Sequence, residues 1–189
     1  MGTLLALLLA GSLPDLAQLN RLNARFAPTE LKVDISSLSP GDRQALVKLI
    51  EASRLYDRIF MQQLWQGNLA LYAKLQQDST PLGKARLHTF WINKSPWSEL
   101  DDHTAFLAGV PPKKPLGANF YPADLTREQF EAWVKTLPAA ERAKAESFFT
   151  VIRRDPSGKL ASVPYSREYA ADLEPCAALL RDAARLTTN

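Results

Sequence analysis

Few side chains in this 189-residue chain are equipped for chemistry, and their spacing decides what they can do. There are two histidines, His88 and His103, and one cysteine, Cys176. A lone cysteine forms neither an intramolecular disulfide nor a Cys-based zinc cluster, and two histidines cannot make a three-His centre. His88 is followed by Thr89-Phe90-Trp91 and His103 by Thr104-Ala105-Phe106, so neither opens the H-E-x-x-H pattern. His103 follows Asp101-Asp102, and carboxylates beside an imidazole are metal-ligand types, yet adjacent loop residues rarely aim at one centre. His88, in Arg86-Leu87-His88-Thr89, reads as a structural or surface residue of a helix. Cys176, in Pro175-Cys176-Ala177-Ala178-Leu179, reads as a small buried hydrophobe. No G-x-S-x-G, P-loop or G-x-G-x-x-G pattern occurs. The residues themselves name no catalytic, cofactor-binding or metal-binding group.

Gly117-Ala118-Asn119-Phe120-Tyr121-Pro122 is the richest segment for recognition. It joins backbone freedom, an amide that donates and accepts, a phenol and a turn locked by proline. Asn119 and Tyr121 are its candidate contacts to a peptide. The competing reading is that Phe120 and Tyr121 plug the loop onto the core.

The elements that must position these residues are mostly helical. Leu16, Leu19, Leu22 and Phe26 are spaced for one helical face, ended by Pro28. The clearest helix starts at Ser39, with Ser39 as N-cap, Pro40 at N1 and Asp42 in the first turn. Leu46, Ile50, Ser53, Tyr56, Phe60 and Leu64 predict its buried stripe, with Glu51, Arg54, Asp57 and Arg58 toward solvent. A second helix is expected from Leu69 to near Asp78, and a third from just after Thr80-Pro81 to Ile92. Residues 93–125 carry Pro96, Pro111, Pro112, Pro115 and Pro122, which exclude a long helix. They also carry Trp97, Phe106, Phe120 and Tyr121, so an ordered loop packed as a cover is expected. Thr126 with Gln129 forms a capping-box pattern, and Phe130, Trp133, Val134 and Leu137 give the face behind it. Ala139 to Phe148 predicts a short helix. A β-branched run from Phe149 to Arg154, the Asp155-Pro-Ser-Gly158 turn and Lys159 to Val163 predict a hairpin with a four-residue loop. Ser166 is expected to cap a last helix from Arg167 to Leu186, kinked or divided at Pro175. The fold class is therefore mainly α with a small β-hairpin (α+β). A hairpin is not stable alone, so it must pack on the helices or join further strands.

Charge narrows the partners. The formal net charge is +3, and the only adjacent basic pairs are Lys113-Lys114 and Arg153-Arg154. A phosphate-tracking surface needs a denser stripe, so no nucleic-acid partner is expected. Leu4 to Ala10 is a short apolar run followed by the small residues Ala10-Gly11-Ser12. That is the outline of a degenerate export leader without its basic start, and residues 1–25 are assigned to it and the first helix. The run is too short to span a bilayer. A functional leader places the protein in the periplasm or outside the cell; otherwise it is cytoplasmic, the run being a helix start packed on the body. An intact Met1 in the mature protein would exclude export.

Several phrases, taken in order, carry a family resemblance. They are Thr80-Pro-Leu-Gly-Lys-Ala-Arg-Leu-His88, Asn93-Lys-Ser-Pro-Trp97, Gly109-Val-Pro-Pro112, Gly117-Ala-Asn-Phe-Tyr-Pro122 with Thr126-Arg-Glu-Gln-Phe-Glu-Ala-Trp133, Phe148-Phe-Thr-Val-Ile-Arg-Arg154 and Val163-Pro-Tyr-Ser166. Their succession resembles the N-terminal part of bacterial proteins related to the dipeptidyl peptidase III family of zinc exopeptidases. The resemblance implies that residues 26–189 are an N-terminal lobe segment, a partial lobe of a two-lobed metallopeptidase-like fold. It also implies an enzyme that removes dipeptides from short peptides, with zinc held by an H-E-x-x-G-H helix and a later glutamate. No position here matches those residues, so the resemblance implies a non-catalytic portion whose partner is the missing C-terminal metal-binding part. Asn119 and Tyr121 would then be contacts in the substrate cleft. The other reading is a stand-alone helical module that binds peptide or protein.

Overall fold

The computed structural model describes residues 13–188. The expected leader lies outside them. Eight helices and two small antiparallel sheets are described: α1 (Leu16–Asn23), α2 (Pro40–Leu64), α3 (Asn68–Gln77), α4 (Pro81–Asn93), β1 (Trp97–Ser98), β2 (Thr104–Ala105), α5 (Arg127–Thr136), α6 (Ala139–Ala145), β3 (Thr150–Arg154), β4 (Leu160–Pro164), α7 (Tyr165–Glu168) and α8 (Ala170–Leu186). The fold is mainly α with a small β part, as the sequence predicts.

Helix starts follow local chemistry. Ser39 accepts from the Asp42 amide at 3.1 Å, with Pro40 in the first turn. Thr80 accepts from the Gly83 amide at 3.0 Å before Pro81. Thr126 and Gln129 exchange both bonds of a capping box. Each contact supplies an acceptor to amides that have no partner inside the helix.

The longest helix, α2, packs antiparallel on α8 along most of its length. Here the expected stripe is overturned. The face toward α8 is Ala45, Ala52 and Ile59, at 5%, 2% and 6% exposure. Ile50, Tyr56 and Phe60, expected inside, are 47%, 50% and 47% exposed. Small side chains let two helix backbones approach closely, whereas the bulky residues are pushed to the flanks. Gly41 carries the same closeness to the helix start, since a Cβ there would stand 2.3 Å from the Leu186 carbonyl oxygen. Asp42 then clasps the far end of the chain: its carboxylate accepts from the Thr188 amide at 2.9 Å and the Thr187 hydroxyl at 2.7 Å. Those bonds and the Ser39 hydroxyl hold its carboxyl well below the usual range.

Three apolar clusters fill the interior. Leu19, Met61, Leu75, Phe90 and Phe106 join α1 to the α2 end, α3, α4 and the long loop. Ile59, Val151 and Tyr169 form a second, and Val134, Ala145 and Ile152 a third. The 93–125 stretch behaves as a cover, with Trp97 fully buried and its indole Nε1 donating to the Pro111 carbonyl at 2.8 Å. It also holds the β1–β2 pair, which periodicity did not reveal because each strand is two residues long.

Three further boundaries differ from expectation. The hairpin pairs Arg154 with Leu160, leaving residues 155–159 as a five-residue connection. Asp155 Oδ1 accepts from the Ser157 and Lys159 amides at 2.8 and 2.9 Å, and Gly158 takes a φ of 82°, which together widen the turn. Helix α6 ends at Ala145, short of Phe148, whose ring is 90% exposed. The C-terminal helix is divided at Tyr169 rather than at Pro175, and Ser166 lies inside α7 instead of capping it. Tyr169 leaves helical geometry at φ −110° and ψ 23° to seat its ring in the second cluster, at 2% exposure. Pro175 is accommodated within α8.

Candidate functional site

The 117–122 segment lies where the end of α2 meets β3 and α8. A helix leaves its last four carbonyls without intrahelical partners. At the end of α2, Met61 O accepts from Asn68 Nδ2 at 2.9 Å, Gln62 O from Asn119 Nδ2 at 2.8 Å and Gln63 O from the Asn119 amide at 2.8 Å. Asn119 therefore caps a helix that lies more than fifty residues earlier. Phe120 turns its ring into the second cluster and offers its carbonyl to the Ile152 amide at 2.8 Å. Tyr121 remains at the surface, 36% exposed, with its ring edge-on to Phe130 at 5.2 Å. The plug reading holds for Phe120 but not for Tyr121, which keeps an open face, and Asn119 spends its amide on the main chain.

A polar network beneath the segment holds it in place. Arg153 Nη2 donates to Asn119 O at 2.9 Å and its Nε to Glu168 Oε1 at 2.9 Å. Asp172, 6% exposed, accepts from Arg58 Nε at 2.8 Å and Gln62 Nε2 at 2.7 Å. Burial pushes the Tyr169 phenol up to about 12, so it stays protonated through the physiological range. Around it, Tyr165 stacks on Phe120 at 6.4 Å and meets Tyr169 edge-on at 5.2 Å. The network is aromatic and its charged groups are paired, while the buried Tyr169 hydroxyl has no hydrogen-bond partner. Within the network no nucleophile stands beside a base.

The metal-ligand types are dispersed. His88 is exposed on α4. His103 Nδ1 lies 3.2 Å from Glu99 Oε2, Asp102 pairs with Lys113 at 2.7 Å, and Asp101 pairs with Arg25 at 2.8 Å. The Asp-Asp-His triplet thus turns its members to three separate partners. Asp101 and Asp102 are both held below the usual carboxylate range, the first by Ser98 and Arg25, the second by Lys113. Cys176 is 1% exposed with its Sγ 4.0 Å from the Ala52 carbonyl. Among the described residues no group of three or more His, Cys, Asp and Glu side chains could hold a metal ion. A hollow of about 510 Å³ between Leu13, Leu22, Phe106 and Val110 is mainly apolar, and its polar side chains Ser98, Asp101 and Thr104 already have partners.

Sequence reasoning picked out Asn119 and Tyr121 but missed Arg58, Gln62, Arg153, Glu168 and Asp172. One signal was readable: Asp172 is in helical phase with the buried Cys176 and Ala183, where a carboxylate needs a partner.

The fold that carries the segment has counterparts among solved structures. The dipeptidyl-peptidase III of Corallococcus sp. strain EGB superposes with a TM-score of 0.88 at 49% identity, over 94% of this chain and 33% of that one. The chain has the fold of part of a bacterial dipeptidyl-peptidase III. The enzyme of Caldithrix abyssi matches likewise, with a TM-score of 0.84 at 40% identity, over 90% of this chain and 32% of that one. The chain thus spans about a third of the dipeptidyl-peptidase III structures it matches. A Nudix hydrolase 3 from Arabidopsis thaliana is 30% identical over 213 aligned residues, covering 87% of this chain and 28% of that protein. No family model matches. None of the described helices is long and apolar enough to cross a membrane.

Proposed function

We propose that this chain is a non-catalytic lobe segment of a dipeptidyl-peptidase III-like zinc hydrolase, and that the metal-binding helix belongs to another stretch of polypeptide. The observation that supports it most is the likeness at 49% identity over 94% of the chain, to one third of such an enzyme. The described residues do not fit a zinc site. In this reading the segment builds a wall of the peptide cleft. Tyr121 offers its exposed ring and hydroxyl to a short peptide, and Asn119 fixes the ledge on which Tyr121 stands.

The surface agrees with such a role. Leu49, Tyr56 and Phe60 recur at steps of seven and four along one flank of α2, at 47%, 50% and 47% exposure. Phe149 adds a ring at 74% exposure. Exposed large apolar side chains of this kind suit a contact surface. The alternative, a stand-alone peptide- or protein-binding module, would use the same flank for its partner and is separated from the first reading by complementation.

The test is complementation. The purified chain is expected to bind no stoichiometric zinc and to release no dipeptide from a short peptide. Mixed or co-expressed with the Corallococcus enzyme lacking its matching third, it should restore zinc-dependent dipeptide release. Zinc-dependent release by the chain alone would refute the proposal, and a monodisperse monomer that never complements would favour the stand-alone module.

A further inference from the structure

Between α1 and α2 the chain runs through a stretch that the body does not cover. Residues 27–35 form no helix or strand, and every one of them is exposed. Leu31, Val33 and Ile35 are 90%, 81% and 41% exposed. Among the described residues nothing bonds to the main-chain groups of residues 29–34. The ends of the stretch are nonetheless tied down. Arg25 pairs with Asp101 at 2.8 Å before it, and the Ser36 carbonyl accepts from Arg43 Nη2 at 2.9 Å after it. A strap fixed at both ends loses less freedom when its middle becomes ordered.

Its sequence is that of a strand. Glu30-Leu31-Lys32-Val33-Asp34-Ile35 alternates charged and apolar residues without a break, the period that sends one set to each face of a pleated ribbon. Lys32 Nζ lies 3.1 Å from Glu30 Oε2, so these two charged side chains already share a side. Val33 and Ile35 are β-branched, and proline stands only before the run, at Pro28. Such a pattern suits a half-buried strand. Here, among the described residues, neither its main chain nor its apolar side has a partner.

The charges specify what fits. Charged residues on an open edge normally keep other strands away. Laid antiparallel on a second copy about Val33, the stretch sets Lys32 opposite Asp34 twice, Leu31 opposite Ile35 twice and Val33 opposite Val33. Every apolar residue then faces an apolar one, and each lysine faces a carboxylate, the pairings that stabilise a ladder. Sliding the register by two residues sets Lys32 against Lys32 or Asp34 against Asp34. A slide of four toward the N-terminus pairs charges again but sets Val33 against Thr29. An in-register parallel pair sets like against like throughout. One arrangement of two copies therefore turns the guarding charges into ion pairs while matching the apolar side.

We infer that residues 30–36 are a self-pairing edge, through which two copies of this chain associate as an antiparallel two-stranded ribbon centred on Val33. The two-fold axis through the Val33 pair makes the contact isologous, so it closes at a dimer. A ribbon of this length is small for a protein interface and marginal without cover, so the dimer is weak and its population follows concentration. The inference does not depend on the proposed function, since the exposed flank of α2 consists of other residues.

Sedimentation equilibrium on the full chain over a range of concentrations tests the edge. The parent should move from monomer toward twice that mass as concentration rises. Lys32→Asp and Asp34→Lys each set like charges opposite one another between identical copies, and each should weaken dimerisation at least tenfold. An equimolar mixture of the two restores both ion pairs and should return to the parent's behaviour, which a merely misfolded variant would not do. Val33→Asp should also weaken dimerisation at least tenfold. All three positions are exposed, so circular dichroism melts of the variants should match the parent's. A parent that stays monomeric throughout, a dimer that survives all three substitutions, or a mixture that fails to recover overturns the inference. A charge variant that loses self-association yet still complements the Corallococcus polypeptide lacking its matching third supports it and leaves the proposed function standing.

Discussion

Asn119→Ala separates a structural role for this residue from a binding role. The substitution deletes the bond from Nδ2 to the Gln62 carbonyl, 2.8 Å long and partly buried, while the Asn119 amide can still bond Gln63 O. A hydrogen bond of this kind contributes about 1 kcal/mol net, and the abandoned carbonyl adds a desolvation cost of similar size where water cannot reach it. The total is about 1–2 kcal/mol. For a chain of this length that lowers the melting temperature by about 3–6 °C. Asn119→Asp keeps the shape but replaces the donor with an acceptor facing the α2 carbonyls, and should cost at least as much. Thermal melts followed by circular dichroism, with urea titrations for the free energy, read both variants. A melting temperature for Asn119→Ala within about 1 °C of the parent would refute the remote-cap account. It would return Asn119 to the ligand-contact role suggested by its residue type.

Two other perturbations probe the same body. Asp172→Ala removes the acceptor of two bonds, from Arg58 and Gln62, at a site only 6% exposed. Arg58 is half exposed and can pass its charge to water, so a loss of about 2–4 kcal/mol is expected in urea unfolding, with Asp172→Asn losing less; a loss under about 0.5 kcal/mol would contradict the network. Asp42 has a folded pKa depressed by Ser39, Thr187 and Thr188. Its contribution is therefore present above the unfolded carboxylate value near pH 4 and fades as pH falls below that. The parent should lose melting temperature between about pH 5 and pH 2, and Asp42→Asn should lose distinctly less over that interval. Parallel acid limbs for the two proteins would show that the clasp does not titrate as described.

The features legible in the sequence were those settled within a few residues. Ser39 with Asp42, Thr80 with Gly83 and Thr126 with Gln129 are contacts three positions apart, and each appeared where the residue types demanded. The hairpin followed from β-branched runs around a turn sequence. The packed face of α2 was illegible for a physical reason. Counting large apolar residues favours Ile50, Tyr56 and Phe60, but α8 selects Ala45, Ala52 and Ile59 because helices approach most closely over small side chains. The division at Tyr169 likewise depends on a pocket made by Ile59 and Val151, which no local pattern contains. Asn119 was found by residue type, yet its task is set by carbonyls of Gln62 and Gln63, distant in sequence and adjacent only after folding.

The clasp between Asp42 and Thr188 has a kinetic meaning. It closes the chain on itself between residues 39 and 188, where the two hydroxyls stand 3.4 Å apart. Loop-closure entropy grows only with the logarithm of length, so this circuit costs about 2 kcal/mol more to close than a loop of about ten residues. The search for it is nonetheless slow, because the seam that organises the body joins α2 to α8, segments far apart in the chain. Local pieces such as α3 with α4 and the β3–β4 hairpin can form while that seam is still open.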